Sequence, residues 1–216
     1  ALAAIRPGDT VLDLGSGAGM DLLLAAKMTG PSGRVIGVDM TAEMIERARA
    51  NAAAAGLENV ELRQGIIENL PVEDGSVDLV ISNCVINLSP EKNRVFRELV
   101  RVLRPNGRIS ISDIVSEPLP EWIQAEAELY TACISGAIPE VDYLDGLRQA
   151  GLSDVAVSDR LVYSSEQLQG LLGAVDTGGC CGTGGLTGEK SVRFSTELAG
   201  KVSSVRVVGR KSDVQG

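Results

Sequence analysis

Histidine is absent from the whole chain of 216 residues. Every Ser–His or Cys–His nucleophile and every imidazole metal site is therefore excluded, and any chemistry must run without an imidazole base. Aromatic residues amount to only 3% and the formal net charge is -9. A partner surface for DNA or RNA needs the opposite charge and aromatic faces for stacking, so no nucleic-acid partner is expected. Long apolar runs are also missing: the stretch from Val77 to Leu88 is broken by Asp78, Ser82, Asn83 and Asn87. That is too short and too polar to span a membrane. With no basic region followed by an apolar one at the start, the expected location is the cytoplasm. Cysteine is sparse, at Cys84, Cys133, Cys180 and Cys181. This spacing matches neither a disulfide framework nor paired C-x-x-C zinc ligands, so reduced thiols are expected.

The composition, 44% hydrophobic and 23% charged, is that of a folded globular chain of a length that fits a single domain. Short β-branched runs alternate with helical ones from Thr10 onward. Val11–Leu14, Arg34–Asp39, Asn59–Arg63, Val77–Asn83 and Arg108–Ile114 read as strands, and Met20–Met28 and Thr41–Ala55 as helices, the second capped by Thr41 and ended by Gly56. Ser89 as N-cap and Pro90 at the first helical position open a third helix, which turns Val95, Phe96, Leu99, Val102 and Leu103 inward and stops at Pro105–Gly107. Glu121–Ser135 and Asp142–Ala150 read as helices, and Val155–Val162 and Val202–Val208 as strands. Gly178–Gly188, with six glycines in eleven residues, reads as a mobile loop. Strands alternating with helices predict α/β architecture: a doubly wound, mostly parallel seven-stranded sheet with helices on both faces.

Asp13-Leu14-Gly15-Ser16-Gly17-Ala18-Gly19 follows the first strand and opens a helix. Its glycines allow a ligand to approach the backbone closely. A helix N-terminus alone suits a pyrophosphate. The carboxylate of Asp13 instead suits a ligand carrying an amino group and a sulfonium charge. Asp39, ending the second strand, is placed to accept hydrogen bonds from ribose hydroxyls. The segment from about Ala4 to Val115 resembles the class I S-adenosylmethionine-dependent methyltransferases. The resemblance implies a Rossmann-like cofactor core over residues 1–118, with a helical substrate cover and the last strands over 119–216. It assigns cofactor binding to Asp13, Gly15, Ser16, Gly17, Gly19, Asp39 and Asn83, adenine packing to Met40, and closure over adenine to Ile67 and Glu68.

Ser82-Asn83-Cys84-Val85-Ile86-Asn87-Leu88 lies beyond the carboxyl end of the fourth strand, where ligands of open α/β sheets bind. Together with Val11-Leu12-Asp13-Leu14-Gly15-Ser16-Gly17, Val35-Ile36-Gly37-Val38-Asp39-Met40-Thr41 and Ala132-Cys133-Ile134-Ser135-Gly136-Ala137, it is similar to segments of the arsenite methyltransferase family. The resemblance implies that Cys84 and Cys133 bind As(III), with arsenite or its thiol conjugate as substrate, and that a small thiol such as glutathione serves as reductant or third arsenic ligand. Soft thiolates suit a soft metalloid. Arsenic held by sulfur keeps a lone pair that attacks a methyl carbon directly, so a chain without histidine lacks nothing the reaction needs. Cys180 and Cys181 read as an inert or oxidisable pair rather than as arsenic ligands. Two other readings stay open: a C-methyltransferase of the quinone-biosynthesis kind, and a methyltransferase-like protein that binds As(III) without turnover.

Overall fold

The computed structural model describes residues 2–119, 123, 134, 136–173 and 189–213. A short 3-10 turn at Leu2–Ala4 precedes β1 (Thr10–Leu14), α1 (Met20–Thr29), β2 (Arg34–Asp39), α2 (Ala42–Ala54), β3 (Val60–Gln64) and β4 (Val77–Asn83). A one-turn 3-10 helix at Ile86–Leu88 leads into α3 (Lys92–Val102) and β5 (Leu103–Ser116). Then come α4 (Glu140–Gln149), β6 (Leu152–Val162), α5 (Ser165–Gly173), α6 (Glu189–Leu198) and β7 (Val202–Lys211).

The seven strands form one sheet in the order β3-β2-β1-β4-β5-β7-β6. The pairs β2–β3, β1–β2, β1–β4 and β4–β5 are parallel, and β7 runs antiparallel to both β5 and β6. The winding reverses between β1 and β4, which opens a crevice at their carboxyl ends. Leu14 pairs with Val38 on one side and Ser82 on the other, so β1, β2 and β4 end level with one another.

Alternation along β1 explains the layering. Leu12 and Leu14 join the cluster that packs under α3 and α4, whereas Val11 joins the one under α1 on the other face. On α3, Val95, Phe96, Leu99 and Val102 form the single buried stripe expected of a helix laid on a sheet. A further cluster brings Leu168 of α5 and Phe194 and Leu198 of α6 against Ile114 and Val202, with Cys84 packed at its margin. At the open edge of the sheet, Glu61 on β3 pairs with Arg34 and, at 2.7 Å, with Arg63, which reaches Glu73 at 3.1 Å.

Several expected boundaries move. Ser89 does not cap α3: its Oγ accepts the Glu91 N–H at 3.1 Å, closing a local turn around Pro90, and the helix begins at Lys92. The same helix gives way to strand at Leu103, and Pro105–Gly107 lies inside β5, where the register against β4 slips between Val77 and Leu79 and Asn106 adopts φ +62°. Thr41 holds the N-cap position of α2, but its side chain makes no cap bond. The helices α5 and α6 were not anticipated. Nearly all of the expected cover helix Glu121–Ser135, with Cys133, lies outside the described residues, as does the glycine-rich stretch Gly178–Gly188 with Cys180 and Cys181.

Candidate functional site

After β1 the chain turns through Gly15, Gly17 and Gly19 with φ of +64°, +52° and +94°, a backbone that side-chain-bearing residues rarely adopt. The turn is tied to β2. The N–H groups of Gly15 and Ser16 both donate to the Val38 carbonyl, at 2.8 and 3.1 Å. Asp39 completes the clasp: Oδ2 accepts the Gly17 N–H at 3.0 Å and Oδ1 accepts the Thr41 N–H at 2.8 Å. The cap that Thr41 lacks is thus replaced by a carboxylate that joins the glycine turn to the start of α2. Each oxygen keeps a lone pair for another donor.

Asp13 is 3% exposed, and its Oδ2 has no hydrogen-bond partner. Burial, followed by the negative charges of Asp21 and Asp39, drives its pKa well above the usual carboxylate range, against a Leu22 backbone hydrogen bond that lowers it. Ser16 Oγ and Ser82 Oγ are likewise buried and unpartnered at the ends of β1 and β4. A buried carboxylate with one oxygen left unpartnered is costly unless a cationic group meets it. The orphaned acceptors and the side-chain-free turn therefore fit a ligand such as S-adenosylmethionine, which is cationic at its amino and sulfonium groups and carries ribose hydroxyls.

One flank of the crevice is apolar. Met40 is 71% exposed, and its carbonyl accepts from Gln64 Nε2 at 3.2 Å. The Gly65 N–H donates to the Asp39 carbonyl at 3.0 Å, which draws the segment after β3 alongside. Within it Ile67 packs on the main core and Glu68 accepts from Ser89 Oγ. Asn83 is exposed at the end of β4.

Cys84 follows immediately. It is half-buried, is not in a disulfide, and has φ +55°, with its N–H donating to the Ser112 carbonyl at 2.8 Å. The next residue, Val85, presses on the cofactor turn: a Cβ on Gly15 would lie 2.5 Å from Val85 Cγ2. The structure thus brings Asp13, Gly15, Ser16, Gly17, Gly19, Asp39, Met40 and Cys84 to one end of the sheet. No group of three or more His, Cys, Asp or Glu able to hold a metal ion occurs among the described residues. A groove of about 760 Å³ lined by Lys27, Arg34 and Asn59 lies at the opposite ends of the strands and contains none of the site residues.

Sequence reasoning missed three members of this arrangement. Gly37, in the middle of β2, leaves room for Ser16 Oγ and Leu22, since a Cβ there would come within 2.9 Å of both. A glycine inside an apolar strand is the signal that points to such an approach. The other two, Asp113 of β5 and Tyr143 of α4, form a buried hydrogen-bonded pair. An acidic residue in an otherwise apolar strand end was the only local hint.

A family model described as a methyltransferase domain matches residues 5–172. An arsenite methyltransferase of Halobacterium salinarum is 53% identical over 161 residues, covering 74% of this chain and 41% of that protein. The arsenite methyltransferase of Mus musculus is 34% identical over 175 residues, covering 76% and 46% respectively. The chain thus spans less than half the length of these two relatives. Among solved structures, an arsenic(III) S-adenosylmethionine methyltransferase from Chlamydomonas reinhardtii superposes with a TM-score of 0.74 at 33% identity, covering 97% of this chain and 65% of that one.

Proposed function

Since the chain belongs to the methyltransferase-domain family, we propose that it transfers a methyl group from S-adenosylmethionine to thiol-bound trivalent arsenic. The observation that carries this reading is the position of Cys84, a thiol at the carboxyl end of β4 whose neighbour Val85 packs on the glycine turn. The named activities of the archaeal, mouse and algal relatives support the choice of arsenic.

S-adenosylmethionine supplies an electrophilic methyl group on a sulfonium sulfur. Asp13 meets the cationic amino end, Asp39 orients the ribose, and Met40 and Ile67 wall the adenine. Cys84, with Cys133, holds the arsenic so that its lone pair faces the methyl carbon, which makes catalysis chiefly a matter of alignment. No group has to remove a proton during transfer. The methyl group leaves S-adenosylhomocysteine behind, and a small thiol such as glutathione serves as third arsenic ligand or as reductant, in which case two thiols are oxidised to one disulfide and return the electron pair that arsenic gives to the new bond. Residues 1–118 act as the cofactor core and 119–216 as cover and closing strands of one domain. No helix among the described residues is long and apolar enough to cross a membrane, and we place the reaction in the cytoplasm.

The test is to incubate the protein with S-adenosylmethionine, a thiol and arsenite, and to speciate the arsenic. Methylated arsenic in the wild type and none in Cys84→Ser supports the reading. Arsenite binding without methylated product favours a binding protein, and methylation of a quinone precursor that survives loss of Cys84 favours a C-methyltransferase.

A further inference from the structure

Cys84 is one of only three non-glycine residues with positive φ among those described, and the other two, Asn106 and Asp154, are of types that tolerate it. Such a conformation persists only where the surroundings over-determine it. On the β5 side the Cys84 N–H donates to the Ser112 carbonyl at 2.8 Å. On the β1 side the constraint arrives through the next residue. Leu14, the last residue of β1, lies opposite Ser82, so β4 already outruns β1 when it reaches Asn83. The bend at Cys84 brings Val85 back over the glycine turn, where its Cγ2, Cβ and Cγ1 lie 2.5, 2.8 and 3.3 Å from the point that a Gly15 Cβ would occupy. Val85 has little freedom on its other side. Its carbonyl accepts the Leu88 N–H at 3.1 Å, and Ile86 after it is fully buried in the same core cluster as Leu14. A displacement of Val85 is therefore not absorbed downstream and falls on the backbone angles of Cys84.

We propose that Val85 is a positioning residue that couples the two halves of the site: its side chain rests on the glycine turn and, through the bend before it, sets the direction of the Cys84 thiol. The absence of a side chain at Gly15 is what admits it, since a Cβ there would take the place of the Val85 methyl groups. A cofactor seated on the turn holds Gly15 against Val85 and so fixes the thiol. With the turn empty the thiol has more latitude. Linkage makes the effect reciprocal, so a group bound at Cys84 changes cofactor affinity by the same factor as the cofactor changes binding at Cys84. The branch at Cβ matters more than bulk, because it is the atoms nearest the Val85 backbone that meet Gly15.

The proposal rests on the reading of Cys84 as an arsenic ligand beside the cofactor, but its main readout needs no arsenic. In the full chain, alkylation of Cys84 by iodoacetamide at one pH is followed by peptide mass spectrometry, with and without saturating S-adenosylhomocysteine, in wild type, Val85→Ala, Val85→Leu and Val85→Thr. Cys84 is half-buried against the cluster that holds Ile114 and Val202, so loosening its bend exposes it. Without ligand, alkylation should be several-fold faster in Val85→Ala than in wild type. S-adenosylhomocysteine should slow alkylation of the wild type by about fivefold or more, and that of Val85→Ala far less. The turnover number for arsenite should fall by about tenfold in Val85→Ala from misalignment, with a smaller change in KM. Val85→Thr, which keeps the branch at Cβ, should recover most of each effect. Should Val85→Ala fail to fold, Val85→Leu carries the test, since it keeps the bulk but moves the branch away from Gly15, and it should change each readout in the same direction. Wild-type alkylation in folded Val85→Ala without ligand would overturn the proposal, as would Val85→Thr no better than Ala. Equal slowing by S-adenosylhomocysteine in wild type and Val85→Ala would overturn it too, because the ligand would then be shielding the thiol directly. Absence of methylated arsenic from the wild type would overturn the proposed function and leave the alkylation results to decide on Val85.

Discussion

Gly15 and Val85 lie so close that a single added Cβ would sit 2.5 Å from a Val85 methyl carbon, although they stand 70 positions apart in the chain. The cofactor turn and the segment carrying the candidate thiol are therefore in direct contact, and a change in one is felt by the other.

Gly15→Ala meets both a φ of +64° and that contact. Strain and overpacking together predict destabilisation of about 1–3 kcal/mol and a marked loss of S-adenosylmethionine affinity. Calorimetry on the folded variant checks it, and unchanged affinity would show that the turn does not hold the cofactor.

Asp39→Ala removes the clasp to Gly17 and Thr41 as well as any bond to ribose. Cofactor binding should weaken by about 1–3 kcal/mol, and the melting temperature should fall even without ligand. A loss of affinity with no loss of stability would mean that the two backbone bonds contribute nothing.

Asp13→Asn should act in opposite directions on stability and binding. The carboxyl is buried, lacks a partner on Oδ2 and has its pKa raised by burial and by Asp21 and Asp39. A raised folded pKa gives wild type a contribution that is fully present below the unfolded carboxylate pKa and is lost as pH rises toward the folded one, so the unliganded variant should gain stability relative to wild type across that window. The cofactor should bind more weakly because its cationic end loses a counter-charge. Denaturant titration and calorimetry on the same samples separate the two effects.

Asp113 supplies a pH dependence of definite sign. Its carboxyl sits at about 7 against an ordinary 3.8; burial raises it, while the Ile114 N–H, the Tyr143 hydroxyl, Lys92 and the Asn87 N–H pull it down. The folded chain binds this proton more tightly than the unfolded one, so the contribution is fully present below pH 4 and is lost as pH rises to about 7. Asp113→Asn cannot ionise, and its stability relative to wild type should climb across that window by at most roughly 4 kcal/mol. Urea unfolding at several pH values tests this, and a pH-independent difference would mean that the buried carboxyl titrates normally.

Cys84→Ser should abolish arsenic methylation while leaving S-adenosylmethionine affinity nearly untouched, as should Cys133→Ser. The double change at Cys180 and Cys181 should keep most activity under reducing conditions. Arsenic speciation of all three variants provides the comparison, and normal methylation by Cys84→Ser would remove the basis for the proposed substrate.

Local signals carried much of this structure. Arg34–Asp39 and Val77–Asn83 were legible to the residue because apolar runs there end at a glycine-bearing turn or a polar residue. The glycine turn was legible as a contiguous pattern, and Asp39 as the acidic residue that ends the next strand. The start of α3 was misread because Ser89 satisfies its own turn, a competition that spacing alone does not resolve. Helix α5 escaped because Gly170 and Gly173 interrupt a short apolar period, and α6 because its ten residues directly follow the glycine-rich stretch. The contacts of Gly15 with Val85 and Asp113 with Tyr143 join distant segments and became visible only through the sheet order.

The ion-paired β3 edge has a consequence for molecules at high concentration. An outermost strand offers unpaired N–H and C=O groups to which a strand of another copy could add. Such an addition would have to strip water from Arg34, Glu61, Arg63 and Glu73, whose charges flank the ladder of Val60–Gln64. The desolvation cost falls on the intruding strand as well as on the edge, so this rim resists serving as a template for aggregation while its backbone stays open to solvent.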